Sequence, residues 1–118
     1  MNICRIKEKL INILKMNLKS YRTNRNITVD EAKQIFATTP NATLIDVRSN
    51  QEYQEYHIDG AICIPYYEIA RRIDKEEPNK NALIILYCQS GTRSKKALEI
   101  LLKKGYQNVY HIKEGLDG

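Results

Sequence analysis

The sequence has little cysteine and less histidine. Cys4, Cys63 and Cys88 are its only cysteines in 118 residues. An odd number at wide spacing argues against a disulfide framework, and no pair has metal-ligand spacing. The two histidines, His57 and His111, do not supply a metal site either. Unpaired thiols fit a reducing compartment, so the expected location is cytoplasmic. No apolar run reaches the roughly 18 residues needed to span a bilayer. The longest N-terminal run, Leu10-Ile11, is interrupted by Asn12 before Ile13-Leu14. A secretory signal, which needs an unbroken apolar centre, is therefore not expected. There is no internal repeat and no low-complexity tract.

The net charge of +5 is missing from most of the chain. Residues 1–26 hold seven Lys/Arg (Arg5, Lys7, Lys9, Lys15, Lys19, Arg22, Arg25) against Glu8 alone, leaving a charge of −1 on the rest. The basic character belongs to an N-terminal arm. Such an arm can attract nucleic acid or an anionic membrane, but the domain gives no sign of nucleic-acid binding.

Ile3, Ile6, Leu10, Ile13, Leu14 and Leu18 recur at helical spacing, which predicts a basic amphipathic helix over 3–18. It either packs on the domain or meets a membrane surface or partner. Residues 20–26 are polar and read as a linker. Residues 1–26 are thus helix and linker, and 27–118 one domain. Within it, Thr28 and Glu31 have capping-box spacing and start a helix that stops before Pro40. Residues 43–47 read as a strand. Ser49 and Glu52 repeat the capping-box pattern before a short helix. Residues 61–64 form a strand ended by Pro65, and 66–73 a short helix. Residues 82–87 are apolar without alternation, as in a strand buried on both faces. A helix over 91–104 stops at Gly105, and 109–112 supply a last strand. Alternating strands and helices imply an α/β fold with a mainly parallel sheet.

The segment Cys88-Gln89-Ser90-Gly91-Thr92-Arg93-Ser94 carries the chemistry. It joins the most apolar strand to a helix, at the carboxyl end where α/β sheets bind ligands. Gly91 lets backbone amides come close to a ligand, and curled amides at a helix N-terminus make an anion site. A thiol at its head should have a lowered pKa, since amides, helix dipole and Arg93 favour the thiolate. Arg93 adds a planar fork suited to an oxyanion. Ser90, Thr92 and Ser94 offer hydroxyl groups. The plain alternative is a buried strand-end cysteine in an ordinary turn. One cysteine, one glycine, three hydroxyls and an arginine within seven residues weigh against it.

This loop resembles the active-site loop of the rhodanese family. Two further segments agree. Leu44-Ile45-Asp46-Val47-Arg48 with Glu52-Tyr53 resembles that family's first core strand and following turn. His57-Ile58-Asp59-Gly60-Ala61-Ile62-Cys63-Ile64-Pro65 resembles its His-Ile-x-Gly-Ala segment. The resemblance covers roughly residues 27–118 and implies a rhodanese-like fold, a mainly parallel central sheet flanked by helices. It implies a sulfurtransferase with Cys88 as nucleophile. Gln89, Ser90, Gly91, Thr92 and Arg93 bind substrate, and Asp46, Arg48 and Ser94 support the loop. The reaction runs through a persulfide on Cys88, with thiosulfate or a persulfide as donor and a thiol or cyanide as acceptor. No cofactor or metal is implied. The expected partners of this monomer are a small-molecule sulfur donor, a thiol acceptor and a sulfur-relay protein. The chain departs from the pattern at Tyr56, where the family often has glycine. It also has Glu114-Gly115 and no tryptophan where the family often has Gly-Gly and tryptophan, so a shortened terminal helix is expected.

Other residues take plainer roles. Glu52 reads as a helix cap rather than a catalytic acid, His57 as a turn residue rather than a general base, and His111 as a strand residue. Cys63 packs in its strand; its alternative role is a resolving thiol. Tyr66 and Tyr67 either line the mouth or pack at a helix start. Two other functions compete. A phosphatase of the same fold uses a cysteine and an arginine with five residues between them, whereas Gln89 to Thr92 number four. A non-turnover persulfide carrier or redox sensor needs the cysteine but no second substrate.

Overall fold

Residues 25–118 are described, in a computed structural model of the chain. The helix expected over 3–18 and most of the linker lie outside them. Five short strands follow one another as β1 (Asn26–Ile27), β2 (Thr43–Asp46), β3 (Ile62–Cys63), β4 (Ile84–Tyr87) and β5 (Val109–Ile112). They form one sheet in the order β1-β5-β4-β2-β3, every pair parallel. Parallel neighbours require crossovers, and four helices lie in them. These are α1 (Val29–Thr38), α2 (Asn50–Glu55), α3 (Ile69–Glu76) and α4 (Thr92–Lys103).

Local chemistry sets the boundaries. Both capping boxes form: Thr28 with Glu31 opens α1, and Ser49 with Glu52 opens α2. Each reciprocal pair satisfies two backbone donors that the helix itself leaves free. β4 is buried along its whole length. Ile84, Leu86 and then Cys88 face one side of the sheet, against Ile69 and Ile73 of α3 and Ala97, Leu98 and Leu101 of α4. Ile85 and Tyr87 face the other, against Ala32 and Ile35 of α1. Two cores on one strand explain the unalternating apolar run. Burying each such leucine or isoleucine stabilises by about 1.5–3 kcal/mol.

Strands 43–47 and 61–64 and the helix 91–104 shorten to Thr43–Asp46, Ile62–Cys63 and Thr92–Lys103, and other boundaries move further. Ala82 and Leu83 precede the strand proper. Helix α3 starts at Ile69, because Pro65 to Glu68 form a turn closed by the Glu68 N–H on the Pro65 carbonyl at 2.8 Å. Asn26, which its polar neighbours place in the linker, pairs with His111 as the edge strand. Arg25 belongs there too. Its carbonyl accepts the His111 N–H at 3.1 Å, and its guanidinium lies 5.6 Å from the Tyr110 ring centre.

A chain beginning at Arg25 is therefore expected to unfold cooperatively, while one beginning at Val29 loses β1 and the buried Ile27 and unfolds earlier. Denaturant titration of both checks this. Loss of cooperativity already at the Arg25 start would show that the first 24 residues complete the core.

Candidate active site

The β4–α4 turn places Cys88 at the carboxyl end of the central strand. Gly91 is the N-cap of α4, with φ 97°. The turn is too close to its neighbour for any other residue: a Cβ at Gly91 would stand 2.1 Å from the Lys113 carbonyl oxygen. This geometry turns backbone N–H groups inward onto the sulfur. The Gly91 N–H meets Cys88 Sγ at 3.1 Å and the Ser94 N–H at 3.4 Å. Cys88 is only 1% exposed. Burial pushes its thiol up, but the Ser94 amide and hydroxyl with the amides of Gly91 and Ser90 together outweigh it, and the net shift is down. The Ser94 hydroxyl adds to this only when its proton faces the sulfur.

The rest of the loop is held from outside. A final 3₁₀ turn, Gly115–Asp117, lies across it. The Leu116 N–H donates to the Cys88 carbonyl at 3.0 Å and the Asp117 N–H to the Gln89 carbonyl at 2.9 Å. Gln89 Nε2 donates to Asp117 Oδ1 at 2.6 Å. Gln89 is thus tied to the terminal turn, while Ser90 and Thr92 face each other at 3.5 Å on the exposed rim. The expected shortened terminal helix is this one turn, and its amides support the loop. Sequence reasoning missed Leu116 and Asp117, because a backbone donor leaves no side-chain signature. Gly115 was the available signal.

Arg93 is not a free fork. Its Nη1 and Nη2 donate to the two Glu52 carboxylate oxygens at 2.7 and 3.0 Å. Glu52 is the helix cap expected of it, and it is also the partner of Arg93, 41 positions away. That pairing, with its bonds at Ser49, draws its carboxyl down to about 2. A carboxylate so lowered contributes stability that is full above its ordinary value near 4.5 and is lost as pH falls toward about 2. The pair is about a third exposed, so screening keeps the contribution modest. Urea midpoints at pH 6 and pH 3 should fall further in the native protein than in Glu52→Gln. An equal fall in both would show that the Arg93 pair is not formed in solution.

Asp46 and Arg48 form a buried pair beside this site. Arg48 Nε and Nη2 donate to the Asp46 carboxylate at 3.1 and 2.7 Å, and Nη2 also reaches the Tyr56 carbonyl at 2.6 Å. They brace the exit of α2 rather than bonding the Cys88 loop. Tyr87 accepts the Ile58 N–H at 3.1 Å. His57 Nδ1 donates to the Tyr53 carbonyl at 2.8 Å, with its ring stacked on Tyr53. That is a turn-holding role, away from Cys88. Cys63 turns its thiol to Asn50 Oδ1 at 3.3 Å, and burial pushes its pKa up. Tyr66 packs on the α3–α4 core, and Tyr67 meets its ring edge-on from an exposed position.

Of the hollows that flank the loop, two are described by their lining. One of about 420 Å³ is lined by Arg48, Glu52, Glu55, Tyr56, Gln89 and Leu116. The other, of about 520 Å³, is lined by Ser90, Gly91 and Thr92 of the loop together with Lys95, Lys96, Lys113 and Glu99. A larger apolar groove of about 590 Å³ lies on the α1 side and contains no loop residue. Among the described residues, no group of three or more His, Cys, Asp or Glu is placed to hold a metal ion. No described helix is long and apolar enough to cross a membrane. The arrangement offers one buried, amide-held thiol of lowered pKa.

Comparison with known proteins bears on the family and the fold. The chain is similar to thiosulfate sulfurtransferase PspE of Escherichia coli (strain K12), 45% identical over 65 residues, which cover 55% of this chain and 62% of that protein. It is similar to the putative sulfur carrier protein YrkF of Bacillus subtilis (strain 168), 32% identical over 76% of this chain and 48% of that one. It therefore spans less than two thirds of either relative. Among solved structures, a rhodanese with anions from E. coli superposes with a TM-score of 0.60 at 41% identity, covering 64% of this chain and 88% of that one. The model of the rhodanese-like domain matches residues 28–118, nearly everything the structure describes, and the chain belongs to that family.

Proposed function

We propose that this chain is a sulfurtransferase that carries sulfane sulfur as a persulfide on Cys88. The observation that supports this best is the sulfur itself, buried and met by the Gly91 and Ser94 amides at 3.1 and 3.4 Å. In the first half-reaction the Cys88 thiolate attacks the outer sulfur of thiosulfate. The new S–S bond forms as the old one breaks, and the electron pair leaves with sulfite. The loop amides then face the persulfide's outer sulfur. In the second half, a thiolate or cyanide attacks that sulfur and Cys88 leaves as thiolate. One hard transfer becomes two displacement steps. Lys95, Lys96 and Lys113 favour an anionic donor, and the free thiols suit a reducing, cytoplasmic setting. The carrier relative favours a second reading, in which Cys88 is loaded and emptied by other proteins of a sulfur relay without thiosulfate turnover.

The test is steady-state transfer from thiosulfate to cyanide, run beside hydrolysis of an aryl phosphate. Transfer without phosphate release is expected, since four residues between Cys88 and Arg93 make a ring too small for three phosphoryl oxygens. Arg93→Lys should lower transfer by about 10- to 100-fold, because an ammonium cannot span both Glu52 oxygens and hold the loop's helix start in place. Single loading without turnover would favour the carrier, and phosphate hydrolysis lost in Cys88→Ser would overturn both readings.

A further inference from the structure

Behind the loop, a chain of buried polar groups runs away from the sulfur. Ser94 Oγ lies 3.6 Å from Cys88 Sγ and 2.8 Å from His111 Nδ1. His111 Nε2 lies 2.6 Å from Asn26 Oδ1. Ser94 and His111 are 0% and 3% exposed, so water does not complete their bonding.

The hydrogens on this chain can be assigned by elimination. An amide oxygen only accepts, so His111 Nε2 carries a hydrogen. Burial, aided by the charge of Lys95, pulls the imidazole down to about 4 and keeps it neutral near pH 7. A neutral ring carries one hydrogen, so Nδ1 is bare and accepts from Ser94. The Ser94 hydroxyl has a single proton and three groups in reach: His111 Nδ1 at 2.8 Å, the Gly91 carbonyl at 3.2 Å and the sulfur at 3.6 Å. The shortest of these contacts takes it. The sulfur then meets lone pairs of Ser94, which accept from the thiol but give nothing to the thiolate.

We propose that His111 is a positioning residue acting on Cys88 through Ser94, holding the Ser94 proton away from the sulfur so that backbone amides alone support the thiolate. The inference rests on the reading of Cys88 as nucleophile. Its consequence is kinetic. A thiolate with one hydrogen bond fewer is more basic, and its nucleophilicity rises with basicity along a Brønsted slope of about 0.4–0.5. His111 thus trades some thiolate population for a more reactive sulfur. The strand position His111 occupies pairs it with β1, and this gives the short edge strand a role in the chemistry through Asn26. The charged groups around this chain are Arg93, Lys95, Lys96 and Glu99 on α4 and Lys113 after β5. All of them remain in the variants below.

The test combines two readouts that need no sulfur donor. Nitrogen-15 spectra of the two histidines should show His111 as the neutral Nε2–H tautomer from pH 6 to 8. The pH profile of Cys88 alkylation by iodoacetamide should then shift in His111→Phe, where the Ser94 proton is released to the thiolate. Its midpoint should fall by about one pH unit, as for one charge-assisted hydrogen bond. Its limiting rate at high pH should fall about threefold. In a Ser94→Ala background His111→Phe should move neither quantity. If His111→Phe does not fold, Asn26→Leu reads the same effect. It frees Nε2 from its acceptor, lets the Nδ1–H tautomer form and lowers the midpoint. An Nδ1–H tautomer in the native protein, a midpoint that stays or rises, or a shift that survives in Ser94→Ala would overturn the proposal. Failure of thiosulfate transfer with these shifts intact would instead remove the function proposed for the loop.

Discussion

Cys88→Ser is expected to lower thiosulfate-to-cyanide transfer by about a thousandfold or more, the scale seen when a nucleophile is removed. The amide ring that lowers the thiol cannot bring a serine hydroxyl near ionisation at neutral pH, and oxygen gives no persulfide. Cys63→Ser should keep most of the activity. Burial pushes the Cys63 thiol up, and it bonds Asn50 and the Arg48 carbonyl instead of the loop. Cys4→Ser should also keep it, since no chemical context surrounds Cys4 in the sequence. The protein should stay folded in all three, because sulfur to oxygen at Cys88 changes little volume. Steady-state assays with unfolding curves alongside check this. Activity retained in Cys88→Ser, or lost in Cys63→Ser, would move the chemistry elsewhere.

Gly115→Ala should produce the second large loss, in both stability and transfer. Gly115 has φ 61°, and an added Cβ would stand 2.5 Å from the carbonyl oxygens of both Cys88 and Gln89. Those carbonyls accept the Leu116 and Asp117 N–H groups. Relieving the overlap pulls the terminal turn off the loop and breaks both bonds. With the left-handed strain, the cost is about 3 kcal/mol or more. Gly105→Ala is the internal control. It has φ 95° but nothing within 4 Å of the new Cβ, so it carries only the conformational cost, about 1–2 kcal/mol. Its transfer activity should be near native. Equal destabilisation by the two substitutions would show that the terminal turn does not hold the loop.

These expectations separate what the sequence made legible from what it did not. Capping boxes were readable because Thr28 with Glu31, and Ser49 with Glu52, act within one helical turn. The unalternating run at β4 betrayed burial on both faces, and the family follows from three motifs in order. The cysteine, glycine and arginine of the loop stood out because all lie within seven residues. What stayed hidden is long-range or made of backbone. Glu52 looked complete as a cap, and nothing local says that Arg93 returns to it. The Leu116 and Asp117 amides carry no side-chain signal. Asn26 read as linker, because a two-residue edge strand has too little pattern to register. His111 looked like one more strand residue, and only the fold sets it behind Ser94.

The most direct test of the central claim is mass spectrometry of the intact, purified protein, reduced and then incubated with and without thiosulfate. A gain equal to one sulfur atom, located by peptide mapping on Cys88 and discharged by cyanide, is the expected result. No gain, or a gain on Cys63 that persists in Cys88→Ser, would contradict it.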